Sequence, residues 1–227
     1  RDRYYTMDLD KVEDAITEKT KAIIVVDLYG QTVDMEKLRR IANGIPIIQD
    51  SAQSAGCMYR GQPIGSHADL TCFSFYPGKN LGAMGDAGAV TGSRELIDLI
   101  KMFRDHGRKE KYRHETIGWN ERLDAMQAAI LSAKFNFLDQ WNERRKKNAS
   151  AYYDVLSSCD KVGLPKVNSD VSTHVYNQFV ITTERRDELK AYLLERGIEA
   201  GIQFPLAMHQ QPVYSRIAGQ TSFPNAE

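Results

Sequence analysis

The sequence predicts an α/β fold: a three-layer α/β/α large domain with a mainly parallel sheet, then a smaller α+β unit at the C-terminal end. Three observations carry this. Short apolar, often β-branched runs alternate with amphipathic helical spacing over the first hundred or so residues, as in a sheet sandwiched between helices. A long helical pattern starts near Leu123. Beyond it, strand, helix and strand spacing resumes without a Gly/Ser linker, so a small unit is expected to pack closely on the large one. The boundary is placed near residue 145, dividing the chain into 1–145 and 146–227.

Near the N-terminal end, Asp8 is placed to cap a helix bearing Leu9, Val12, Ala15 and Ile16. Residues 22–26 form a β-branched run of the length of a buried strand. Met35–Ala42 is helical behind Asp34, with Leu38 and Ile41 on one face. Residues 46–48 begin a short strand ending at Asp50, and residues 70–76 form another that ends near Lys79. Residues 88–91 are a third apolar run; a helix over 95–103 follows, with Ser93 as cap and Gly107 as stop. From Leu123, Met126, Ile130, Ala133, Phe137 and Trp141 recur at three- and four-residue steps. They predict one long amphipathic helix running on towards Leu156. A strand over 179–182, a helix over 187–195 closed by Gly197 and a strand-like run over 198–204 complete the second unit.

Composition excludes several classes. Lys+Arg and Asp+Glu both number 30 in 227 residues, so no net field draws the chain to nucleic acid or an anionic membrane. The basic run Arg144-Arg145-Lys146-Lys147 lies in a helical pattern and reads as a solvated face. No apolar run approaches the roughly 20 residues of a membrane span. Cys57, Cys72 and Cys159 form no CxxC pair, so a reduced, cytoplasmic setting is expected, with Cys72 in a strand core. The histidines show no HxxxH or HExxH spacing, which argues against a metal site. Gly82-Ala83-Met84-Gly85 matches neither a Walker nor a Rossmann fingerprint and instead lets backbone pass close to a neighbouring group.

The candidate chemistry lies at strand ends, where parallel sheets bind their ligands. Lys79 stands in Ser74-Phe75-Tyr76-Pro77-Gly78-Lys79-Asn80-Leu81-Gly82, and Asp50 opens Asp50-Ser51-Ala52-Gln53. A lysine held in a glycine loop opposite a carboxylate meets the needs of pyridoxal 5′-phosphate (PLP). The amine forms the Schiff base, and the acid keeps the pyridine nitrogen protonated. From composition alone, a surface lysine and an Asp in a turn account for the same residues.

The surrounding stretches resemble the DegT/DnrJ/EryC1/StrS family of sugar aminotransferases. Val26-Asp27-Leu28-Tyr29-Gly30-Gln31, Gln49-Asp50-Ser51-Ala52-Gln53-Ser54-Ala55-Gly56 and the run from Phe73 to Val90 carry it first. Gly118-Trp119-Asn120-Glu121-Arg122-Leu123-Asp124, Gln127-Ala128-Ala129, His174-Val175-Tyr176-Asn177-Gln178-Phe179 and Pro205-Leu206-Ala207-Met208-His209 follow in family order. The resemblance implies the PLP-transferase fold type I. It also implies a central fragment of a longer enzyme, because in the family a phosphate-binding helix N-terminus precedes this point.

Roles follow from the resemblance residue by residue. Lys79 would bond the cofactor and move a proton between the substrate α-carbon and the cofactor's C4′. Asp50 would pair with the pyridine nitrogen, with a turn or N-cap role as the alternative. Gln53 would contact the ring or its 3-oxygen. Ser74 would contact the phosphate; the alternative is a strand serine bonded to backbone. Asn120 would cross a homodimer interface to the partner's phosphate, while spacing alone makes it an N-cap of the long helix. His209, Tyr214 and Arg108 are candidates for substrate contact, although a lone histidine is more often structural. The implied reaction moves an amino group from L-glutamate (or glutamine) to a nucleotide-linked keto sugar. Residues 75–83 and 106–112 look closest to members that aminate C3 of dTDP-linked 6-deoxy sugars. The alternatives are a sugar dehydratase of the same fold, in which histidine replaces the lysine, and a non-catalytic regulatory member.

Overall fold

The computed structural model describes residues 4–214, 216, 222–224 and 226. Asp8 caps as expected, accepting from the Asp10 N–H at 3.3 Å; a 3-10 turn over Leu9–Lys11 then leads into α1 (Val12–Ala15). β1 (Ile23–Val26) follows, then α2 (Met35–Ala42) and β2 (Ile47–Asp50). The Asp34 carboxylate accepts from the Lys37 N–H at 3.1 Å, and Asn43 stops α2 by taking a left-handed φ of 43°. A small hairpin, β3 (Met58–Tyr59) with β4 (Gln62–Pro63), leads into β5 (Leu70–Ser74) and β6 (Gly88–Gly92).

The main sheet has the order β1-β2-β5-β6. β1 pairs parallel with β2, setting Val26 opposite Asp50, and β2 pairs parallel with β5, setting Asp50 opposite Cys72. β6 returns antiparallel on β5. A parallel neighbour needs a crossover, usually helical, and no helix lies between Ser74 and Gly88. The α/β class with a mostly parallel sheet is therefore the observed fold.

Ile23, Val25 and Ile47 share the main core with Met35, Leu38 and Ala42 of α2 and with Cys57 and Tyr59. Residues 22–26 are not the doubly buried strand their sequence predicts, because Ile24 is 60% exposed and only the Ile23/Val25 face is covered. Val171 and Val175 pack into this same core. The basic run is only partly solvated: the half-buried Arg145 donates to the carbonyl of Tyr176 at 3.0 Å and of Asn177 at 3.3 Å.

After α3 (Arg94–Phe103), capped by Ser93, comes the hairpin β7 (Arg108–Glu110) and β8 (Arg113–His114). The single long helix expected from Leu123 is instead two: α4 (Ala125–Phe135) and α5 (Leu138–Leu156). Its repeat spans both, but ψ drifts to −13° at Asn136 and −4° at Phe137, and the Phe137 N–H bonds back only to Lys134 O. α4 is capped by Asp124, so Asn120 is not the N-cap that spacing alone suggests. α5 runs unbroken through residue 145.

Neither expected strand of the second unit forms. Residues 179–182 make only an isolated bridge, Thr182 to Gly163, and residues 198–204 make none. Strand propensity has no effect where no neighbouring ladder accepts the backbone groups. The helix between them exists as α6 (Arg186–Glu195), closed by Gly197 at φ 73°.

Candidate active site

Lys79 ends a turn in which its N–H donates to Tyr76 O at 2.9 Å. The turn lies between β5 and β6 and is folded back by Ala83 N donating to Phe75 O at 2.8 Å. Only glycine fits at position 82, because a Cβ there would meet Pro77 O at 2.4 Å. The Lys134 ammonium of α4 donates to the Gly82 carbonyl. Lys79 itself is half-buried, and its neighbour Asn80 is buried.

Asn80 anchors that turn. Its amide donates to Asn142 Oδ1 at 2.7 Å and to Val175 O at 2.9 Å, and its oxygen accepts from Asn177 Nδ2 at 2.9 Å. Asn142, on α5, spends its own amide on Ala55 O at 3.0 Å. Ala55 directly follows the turn that begins at Asp50. One buried asparagine thus ties the lysine loop to the aspartate turn. Sequence reasoning missed this link; the only signal was a polar Asn142 inside an amphipathic helix.

Asp50 closes β2, half-buried, with Oδ1 accepting from the Ala52 N–H at 3.0 Å. Ser74 closes the adjacent strand β5. Its Oγ accepts from Tyr76 N at 3.3 Å, so the backbone partner is present and the hydroxyl proton remains to be donated. Gln53 Oε1 accepts from the Tyr29 N–H at 2.6 Å, which turns the amide's donor end away from Tyr29. Tyr29 holds a left-handed φ of 63°, uncommon for a tyrosine.

Behind this turn lies a carboxylate for which the sequence pattern suggests no role. Asp27, 0% exposed, accepts from Gln49 Nε2 at 3.0 Å, Ser51 Oγ at 2.6 Å and Ser54 Oγ at 2.9 Å. Burial pushes its carboxyl up, while those donors pull the other way. Nearby, burial pushes the Cys57 thiol up to about 12, which leaves it inert as a nucleophile. Cys72 is half-buried rather than core; burial, and then the charge of Asp50, raise its thiol.

The remaining candidates stand on other segments. Asn120 is exposed and bridges Asp105, while the flanking Trp119 carbonyl accepts from His106 N at 2.7 Å. Arg108 pairs with Asp105 at 2.8 Å, and that hydrogen bond, with the Arg108 and Arg122 charges, holds the Asp105 carboxyl low. His209 lies in the 3-10 turn Met208–Gln210 with its ring edge-on to Phe223 at 4.8 Å. Tyr214 ends the turn Pro212–Tyr214 and is 40% exposed. Among the described residues no group of three His, Cys, Asp or Glu is placed to hold a metal ion, and no helix is long and apolar enough to cross a membrane.

A mostly parallel α/β sheet with an acid at one strand end and a lysine in the loop after the neighbouring strand has the architecture of the fold type I PLP-dependent enzymes. The chain belongs to the DegT/DnrJ/EryC1/StrS aminotransferase family, whose model matches residues 1–227. It is 45% identical over 226 residues to the dTDP-3-amino-3,4,6-trideoxy-alpha-D-glucose transaminase of Streptomyces venezuelae, covering 98% of this chain and 59% of that protein. It is 44% identical over 229 residues to the pleiotropic regulatory protein of Geobacillus stearothermophilus, covering 98% and 61%. Among solved structures, S. venezuelae DesV in complex with a ketimine intermediate matches with a TM-score of 0.94 at 43% identity, over 99% of this chain and 62% of that one. The chain thus spans about three fifths of the length of these relatives.

Proposed function

We propose that the whole protein is a PLP-dependent aminotransferase that moves an amino group from L-glutamate (or glutamine) to a nucleotide-linked keto sugar. The observation that supports this is Asn142, which hydrogen-bonds both to Asn80, next to Lys79, and to the carbonyl of Ala55, at the end of the turn that opens with Asp50. The chemistry of these residues suits the cofactor: the Lys79 amine would bond its aldehyde carbon, the Ser74 hydroxyl and Gln53 amide protons would suit its phosphate and phenolic oxygen, and Asp50 its pyridine nitrogen. When bound, PLP supplies an electron sink for the carbon that loses its proton.

In this reading the Lys79 amine would hold the cofactor and would serve as the base for the proton on the substrate carbon. Asp50, whose Oδ1 accepts from the Ala52 N–H, would hold a proton on the ring nitrogen. Gln53, whose Oε1 accepts from Tyr29 N, would have its amide protons available for the ring oxygen. His209, Tyr214 and Arg108 are assigned to the sugar nucleotide, and the S. venezuelae relative supports a dTDP-linked 3-keto-6-deoxy sugar.

The active form in this reading is a cytoplasmic homodimer in which Asn120 reaches the partner's phosphate. Ile117 at 87% exposure, Trp119 at 61% and Met126 at 73% flank it, an apolar surface that a second copy would cover. A regulatory role is the second reading, favoured by the name of the G. stearothermophilus relative. One experiment separates the two. Full-length protein should take up PLP, turn yellow and bleach with glutamate, and Lys79→Ala should fold normally yet show no transamination. Ordinary turnover by that variant, or a colourless wild type, would sink the enzymatic assignment.

A further inference from the structure

Residues 50–54 form a two-sided turn. Ser51 and Ser54, 1% and 0% exposed, point inward, while Asp50 and Gln53 are half-buried on the other side. Both inward hydroxyls donate to the same Asp27 oxygen, Ser51 at 2.6 Å and Ser54 at 2.9 Å. The stretch after β1 grips the turn at two further points. Asp27 N donates to Asp50 O at 2.9 Å, and Tyr29 N donates to Gln53 Oε1 at 2.6 Å.

Gln49 completes the nest, its amide donating to both Asp27 oxygens and to Thr32 Oγ1. The Asp27 carboxylate thus accepts from neutral donors, and among the described residues no cation pairs with it. A neutral alanine or leucine would fill the same position at lower desolvation cost. A buried carboxylate is the acceptor that can bind two hydroxyls and an amide at once, through charge-assisted bonds.

We propose that Asp27 is a positioning residue that fixes the orientation of Asp50 and Gln53 by clamping Ser51 and Ser54 from behind. The proposal rests on the reading of Asp50 and Gln53 as cofactor ligands. An Asn in place of Asp27 keeps the shape but offers one acceptor atom and turns an N–H₂ towards donors. The turn then loses at least one buried hydrogen bond, which corresponds to about tenfold in a local opening equilibrium.

The test uses the full-length protein and Asp27→Asn, read by site-resolved amide hydrogen exchange without cofactor and then by PLP absorbance titration and kinetics. The expected result is exchange about tenfold faster at Ser51, Ala52, Ser54 and Tyr29, with β2 at Ile47–Gln49 unchanged. In the kinetic arm, kcat should fall about tenfold with little change in the sugar KM, because the reacting ring is misaligned while the sugar contacts are not. Acceleration spread evenly over the sheet would show a merely structural residue and overturn the proposal. Unchanged exchange at the turn would overturn it as well.

If wild type takes up no PLP, the functional reading falls while the exchange arm still decides whether Asp27 holds the turn. If Asp27→Asn does not fold, Ser54→Ala carries the same local test. It removes one hydroxyl from the clamp, and an increase of about threefold confined to residues 51–54 is expected.

Discussion

Asn80→Ala should cost far more stability than a single polar truncation. Asn80 is 5% exposed and stands in three hydrogen bonds. Truncation leaves two acceptors with no donor: Oδ1 of Asn142, itself 3% exposed, and the Val175 carbonyl, whose residue is 0% exposed. An orphaned buried polar group costs about 1–3 kcal/mol, so two place the loss at about 3 kcal/mol even if a water enters and satisfies part of the site. Asn177→Ala is the control, because it removes one of the same bonds from a half-buried residue and should cost about 1 kcal/mol. Asn80→Asp sharpens the test: it keeps the shape, replaces both donated bonds with oxygen facing oxygen, and should be worse than alanine at neutral pH. Urea unfolding of the full-length variants measures all three. The reasoning fails if Asn80→Ala costs no more than Asn177→Ala, or if the aspartate is tolerated. Because the same residue anchors the Lys79 turn, Asn80→Ala should also weaken PLP uptake in parallel.

Asp50→Asn should keep the turn, since its amide oxygen can still accept from Ala52 N, and should still bind PLP, yet turnover should fall by about a hundredfold or more. Steady-state kinetics with glutamate check this, and a near-normal rate with an unchanged cofactor spectrum would refute the role of the acid. His174, 4% exposed, is pushed down by burial to about 4 from an ordinary 6.5, and its Nδ1 accepts from Tyr176 N at 3.0 Å. The unfolded chain binds this proton first, so stability is full above pH 6.5 and falls by about 3 kcal/mol as pH drops to about 4. His174→Gln, which can accept the same N–H, should lose that slope in urea titrations. Asp27, pushed up by burial, acts in the opposite sense in both proteins, so the difference between them isolates the histidine. Finally, Asn120→Ala and Lys79→Ala chains, each weak or inactive alone, should regain activity when exchanged into heterodimers, because one site then draws Lys79 from one chain and Asn120 from the other. Activity that never exceeds the sum of the two after proven exchange would place Asn120 outside a shared site.

The parts of the fold legible in the sequence are those set by local rules. Asp34 and Ser93 cap their helices and the apolar spacing of Met35–Ala42 sets its inward face, and the structure keeps them. Residues 22–26 are legible as a strand, but its one-sided burial is not. The strand end at Asp50 is legible for the same reason, whereas β5 stops at Ser74, short of the expected 70–76 run. The differences fall where structure depends on a distant partner. Residues 179–182 have strand chemistry but meet only Gly163, so they bridge without forming a ladder. The periodicity from Leu123 continues across Asn136 and Phe137 although the backbone does not, because a side-chain repeat does not report a drift in ψ.

The site shows the same division more sharply. Lys79 and Asp50 stand out because each has a chemistry that a strand end or a loop displays, and Gln53 and Ser74 are singled out by the family resemblance. The residues that hold them do not stand out. Asn142 is 62 residues from Asn80 and 87 from Ala55, and Asp27 is 24 from Ser51, separations at which no helical or strand period operates. Their side chains are polar at buried positions, which sequence patterning scores as breaks in a core. The physical signal lies in that conflict. A buried asparagine or carboxylate persists only if its hydrogen bonds are satisfied, and here the partners that satisfy them are the two segments carrying the amine and the acid. Asking what a polar residue in an apolar pattern must bind is therefore the question that leads to Asn142 and Asp27, because each can be tolerated in a core only by holding something else in place.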